Sequence, residues 1–128
     1  ETCCNLIKQV WYNAIYEEMD SVTDKYTRPK GYCFVDFNEA LENLFSDSSF
    51  SSRIADINNN KDAVNPLMKK LKNPPEAYES LLKLYDAYIA LTNLATDPTG
   101  SLQTYSQNFN DADNETLNCY NALTMYLE

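Results

Sequence analysis

Apolar positions along this chain recur at intervals of three and four, the spacing of an α-helix with one buried face. The first set is Ile7, Val10, Trp11, Ala14, Ile15, Met19 and Val22, which predicts a helix over about residues 3–21. The stretch YTRPKGYC, with Pro29 and Gly31, breaks the rhythm. Phe34, Phe37, Ala40, Leu41, Leu44 and Phe45 predict a second helix, although YCFVDF is short and aromatic enough to form a strand. SDSSFSS reads as a loop or cap, followed by a short element around residues 53–57 that NNNKD interrupts. Asn65-Pro66, a cap residue and a proline at the first helical position, opens a third helix through Lys72.

Asn73-Pro74-Pro75-Glu76 repeats that signal and starts a fourth helix reaching about Ala95, roughly 33 Å long at 1.5 Å per residue. Asp97-Pro98-Thr99-Gly100 ends it. The fifth, over about residues 101–127, has a nearly heptad seam of Leu102, Tyr105, Phe109, Ala112, Thr116, Cys119, Leu123 and Tyr126. The expected fold is all-α: a single domain over residues 1–128, an antiparallel up-and-down bundle of four to five helices.

The fourth helix adds a candidate function. One of its stripes is Ala77, Leu81, Leu84, Tyr88, Leu91 and Ala95, and a second, rotated stripe is Tyr78, Leu82, Tyr85 and Ile89. A helix this apolar either sits mid-bundle or covers a core on one side and a partner on the other. The second stripe is the candidate partner-binding face, because tyrosine offers contact area with a polar tip. An alternative is a pocket for a small apolar ligand lined by Trp11, Phe34, Phe37, Tyr85 and Phe109.

The net charge of −9 narrows the partners, since such a surface repels phosphate backbones and anionic membranes. Nucleic acid is therefore not expected, and no run approaches the roughly 18 apolar residues of a membrane span. With no histidine in the chain, general acid–base chemistry would fall to carboxylates. Asp111, Asp113 and Glu115, like Glu17, Glu18 and Asp20, fall on polar helix faces where solvated charge is the ordinary state. DADNETLNCYNA and DINNNKDAVNPL imitate calcium loops but lack the required glycine and closing glutamate. Neither a G-x-S-x-G elbow nor a glycine-rich phosphate loop is present. The expectation is a protein that is not an enzyme and carries no cofactor and no metal.

Cys3, Cys4, Cys33 and Cys119 have neither zinc-site nor C-x-x-C spacing. Adjacent side chains on a helix diverge by about 100°, so Cys3 and Cys4 can reach two different elements. Two disulfides are expected, 3–33 with 4–119 or 4–33 with 3–119, each worth roughly 3–5 kcal/mol in the chain-entropy model. Oxidised cysteines imply a secreted, extracellular protein whose leader has been removed; the rival reading is a cytosolic chain with four free thiols in a reducing cell. The sequon Asn114-Glu115-Thr116 is a glycosylation candidate in keeping with that. Adjacent cysteines could also join two chains, leaving a monomer or a disulfide-linked dimer.

The segment from Lys72 to Leu123 resembles the second half of the plant pectin methylesterase and invertase inhibitor family. Leu84-Tyr85-Asp86-Ala87 and Thr116-Leu117-Asn118-Cys119 carry the likeness, and Cys33 in YTRPKGYCFVDF is similar to the family's second cysteine. Leu81 stands where the family usually has a cysteine, so the resemblance would pair Cys119 with Cys3 or Cys4. It implies an extracellular four-helix inhibitor that docks on a carbohydrate-active enzyme through its helix faces. A receptor-binding signalling ligand would use the same outer faces.

Overall fold

The computed structural model describes residues 1–70 and 75–125, and every regular element among them is a helix. Helix α1 (Thr2–Tyr16) buries Cys3, Cys4, Ile7, Val10, Trp11 and Ala14. It stops well short of residue 21. Glu17 turns left-handed at φ 52°, and its N–H bonds the Asn13 carbonyl. Polar side chains organise the turn beyond Glu17, in competition with helical bonding. The Asp20 carboxylate accepts from the Gln9 amide and the Val22 N–H, while Asn13 Nδ2 donates to buried Thr23 at 2.9 Å. Met19 and Val22 therefore leave the apolar stripe and stand in solvent, Met19 at 70% exposure.

Helix α2 (Asp24–Thr27) is one turn that the sequence pattern did not announce. The Arg28 guanidinium clasps Asp24 (3.0 and 3.4 Å) and lies 5.4 Å from the Phe34 ring. YCFVDF makes no strand: the Val35 N–H bonds the Thr27 carbonyl, and Asp36 caps α3 (Phe37–Ser46).

Asp47 alone separates α3 from α4 (Ser48–Lys70). Its Oδ1 accepts from the Ser49 and Phe50 N–H groups (2.8 and 3.4 Å), and its Oδ2 from the Tyr26 hydroxyl (2.7 Å). The Tyr26 hydrogen bond, then the Ser49 N–H, holds the Asp47 carboxyl below the usual carboxylate range. SDSSFSS is thus a tight helix corner. Beyond it, α4 runs unbroken through NNNKD and Pro66, where two elements were expected. Phe50, Ile54, Ile57, Lys61, Val64 and Met68 turn inward, and the asparagines, Asp62 and Pro66 face out. Pro66 cannot donate to the Asp62 carbonyl, but on the exposed side water can take that place.

Helix α5 (Pro75–Thr96) ends in a proline-determined way. Leu94 would bond the N–H of residue 98, which is proline. The hydroxyl of Tyr105, wholly buried on α6 (Leu102–Thr124), donates to that carbonyl instead at 2.6 Å. Gly100 makes the turn with φ +81°, and a side chain there would meet Thr104 Oγ1 at 2.8 Å. Ser101 and Thr104 form a reciprocal capping box. The expected Asn73–Pro74 cap and the seam residue Tyr126 lie outside the described residues.

Helix α1 runs antiparallel to α6, and α4 to α5. Along α1 and α6, Trp11 meets Tyr105 (5.5 Å), Lys8 caps the Phe109 ring (4.2 Å) and the Glu1 carboxyl lies beside that of Asp113. Lys61 reaches Asn93 between α4 and α5 (3.0 Å). The main core gathers α1, α3, the start of α4, the end of α5 and the start of α6. Trp11, 2% exposed, stacks on Phe37 at 5.6 Å at its centre. Ile7, Val10 and Leu44 are wholly buried there, each stabilising by roughly 1.5–3 kcal/mol.

The expectation of two disulfides is not met: all four cysteines are free. The Cys4 thiol faces the Leu91 carbonyl and the Tyr105 hydroxyl. Cys119 lies about 21 Å further along α6 than Tyr105, and about 9 Å beyond the Glu1–Asp113 contact. A disulfide needs Cα atoms within roughly 7 Å. Cys33 is exposed in the loop leading to Phe37, whose partner Trp11 is about 10 Å along α1 from Cys4. Helical registry, set by the aromatic core, keeps the sulfurs apart.

Candidate functional site

Helix α1 covers α6 only from Tyr105 to Asp113. The eleven positions from there to Thr124, about 16 Å of helix, pack against α5 among the described residues, with the second half of α4 facing them across a cleft. This uncovered end holds an apolar cleft of about 230 Å³ lined by Val64, Met68, Leu81, Leu84, Tyr85, Tyr88 and Thr116. Met68, Ala87, Cys119 and Leu123 are buried at the same end. Leu67, Leu117, Tyr120 and Met125 are exposed at that end, Tyr120 at 55% and Met125 at 80%.

The polar groups here are few. Cys119 Sγ donates to Glu115 Oε1 at 3.3 Å, and burial followed by that carboxylate pushes the thiol up. Burial, then neighbouring Tyr85, raises the Tyr88 phenol. Both groups stay protonated at neutral pH and offer donors rather than charge. The cleft can hold apolar side chains, with tyrosine hydroxyls available at its wall.

Of the partner-binding stripe, Tyr78, Leu82, Tyr85 and Ile89 are all half-buried, and Tyr85 is the member that lines the cleft. The first stripe contributes Leu81, Leu84 and Tyr88. The five residues of the alternative ligand pocket are not gathered around one cavity. Trp11 and Phe37 stack in the core, Phe109 is buried beneath Lys8, Phe34 lies under Arg28, and Tyr85 is at the other end. Asn114 is exposed on α6. Asp113 meets Glu1 instead of Asp111 or Glu115, and by hydrogen bond and then like charge lifts the Glu1 carboxyl above its ordinary value. Among the described residues no three His, Cys, Asp or Glu side chains gather as a metal site, and no helix is long and apolar enough to cross a membrane.

Sequence reasoning missed Val64 and Met68. Their signal was the four-three alternation Phe50, Ile54, Ile57, Lys61, Val64, Met68, hidden by reading NNNKD and Pro66 as breaks. No family model, curated protein or solved structure matches this chain.

Proposed function

We propose that this chain is a non-catalytic binding protein that seats a partner protein on the uncovered end of its bundle. The observation that carries the reading is the apolar cleft between α4, α5 and α6, with Leu117, Tyr120 and Met125 exposed at the same end. Apolar surface of this kind marks interaction sites, and tyrosine is enriched in them. The resemblance to the pectin methylesterase and invertase inhibitors supplies the partner class, an extracellular carbohydrate-active enzyme that the helix surface would block. On this reading the protein is secreted, and exposed Asn114 accepts a glycan.

The test is a titration of the chain against a pectin methylesterase and an acid invertase, following residual activity. Stoichiometric inhibition of either, weakened by about tenfold or more (~1.4 kcal/mol) in a Leu117→Asp, Tyr120→Asp variant of unchanged helicity, supports the proposal. Full activity of both enzymes with the chain in large excess removes the inhibitor reading. Native mass spectrometry that finds a retained apolar molecule would put the carrier reading in its place.

A further inference from the structure

A second hollow, of about 480 Å³, lies between α1, the α1–α2 turn and the first turns of α4. Its apolar lining includes Leu6, Val22 and Phe50, and its basic groups are Lys25 and Arg53. We propose that it binds a small organic anion, a carboxylate carried on a short apolar body.

The argument starts from charge. The chain has 19 acidic and 10 basic residues, yet this cavity is lined by two bases and no acid. Three other cations of the chain are engaged: Lys8 on the Phe109 ring, Arg28 on Asp24 and Lys61 on Asn93. Arg53 belongs to neither of the two ion pairs among the described residues. Its guanidinium is free for the two parallel hydrogen bonds a carboxylate accepts. Lys25 is held near the cavity by Asp47 (3.5 Å) and the Tyr26 ring (5.0 Å). The helix end adds nothing, because Asp47 already takes the Ser49 and Phe50 N–H groups. Gln9, tied to Asp20, places a fixed amide on the wall. The volume falls within the roughly 300–1,000 Å³ of small-molecule sites. The apolar lining favours an anion with a hydrocarbon body over a bare inorganic one.

The test uses the full chain and octanoate, with 1-octanol and inorganic phosphate as comparisons, read by calorimetry and by ¹H–¹⁵N chemical shifts. Octanoate should saturate one site and shift Gln9, Val22, Tyr26 and Arg53, with octanol and phosphate at least about tenfold weaker. Arg53→Gln should weaken octanoate about tenfold or more, the scale of a lost charge-assisted hydrogen bond, and leave octanol unchanged. Arg53 is exposed, so folding should survive, and Lys61→Gln should have no effect. Octanol or phosphate binding as tightly as octanoate, shifts centred on Leu81 and Tyr85, absence of saturation, or an inert Arg53→Gln would each overturn the proposal. The site is distinct from the α4–α5–α6 cleft, so the two can fail separately.

Discussion

Tyr105→Phe removes one oxygen and keeps the ring. The Leu94 carbonyl has lost its helical donor to Pro98, and the Tyr105 hydroxyl is its substitute at 2.6 Å. Without it an acceptor is left at a site enclosed by Tyr105 itself, which is wholly buried. An unsatisfied buried polar group costs about 1–3 kcal/mol, and no cavity term adds to it because the ring remains. Taking about 2 kcal/mol, and a shift of roughly 3–5 °C per kcal/mol for a chain of this size, Tm should fall by about 6–10 °C. Urea and thermal unfolding followed by far-ultraviolet circular dichroism measure this. Exposed Tyr120→Phe, the control, should stay within about 0.5 kcal/mol of the parent. A cycle with Pro98→Ala sharpens the test. The restored amide at position 98 can bond Leu94, so the loss of the Tyr105 hydroxyl should cost at least about 1 kcal/mol less in that background. A Tyr105→Phe loss below about 0.5 kcal/mol, or an equal loss in both backgrounds, would refute the reasoning.

The Asp47 carboxyl is held low in the fold, so its stabilisation is present above the unfolded value of about 3.9 and is lost as pH falls through the folded value. Asp47→Asn should therefore flatten the acid limb of the stability–pH curve, and parallel curves would remove Asp47 from that role. An aromatic disulfide reagent at about pH 7.5 should modify Cys33 rapidly in the native protein and four thiols in denaturant; fewer than four without reductant would restore a disulfide. Burial raises the Cys4 thiol, so its contribution is intact below about pH 8.5, the unfolded value, and falls as pH rises toward the folded one; Cys4→Ala should lessen that alkaline decline. Pro66→Ala should stabilise α4 by about 1 kcal/mol or more, and a loss instead would mean that the chain needs a break there.

The long helices were legible because their signals are local. The α6 seam from Leu102 to Leu123 came straight from three-four spacing, and each of those positions is buried or half-buried. Local signals also misled. Asn58 to Asn60 and Pro66 are poor helix formers, yet inward Ile57, Val64 and Met68 bind that stretch to its neighbours, and packing outweighs propensity. At α1 the opposite happened: the apolar period continues to Val22, but Asp20, Gln9, Asn13 and Thr23 pair across the turn and end the helix at Tyr16.

What the sequence by itself determined is the helical class, the charge and the apolar faces, since each depends on residues a few positions apart. Which of those faces are covered was decided in three dimensions. Trp11, Phe37 and Tyr105 set the registry of α1 on α6, and that registry separates Cys4 from Cys119 and leaves the end holding Tyr85 and Tyr120 uncovered. Registry is a property of contacts between distant segments, and no spacing along one chain encodes it directly.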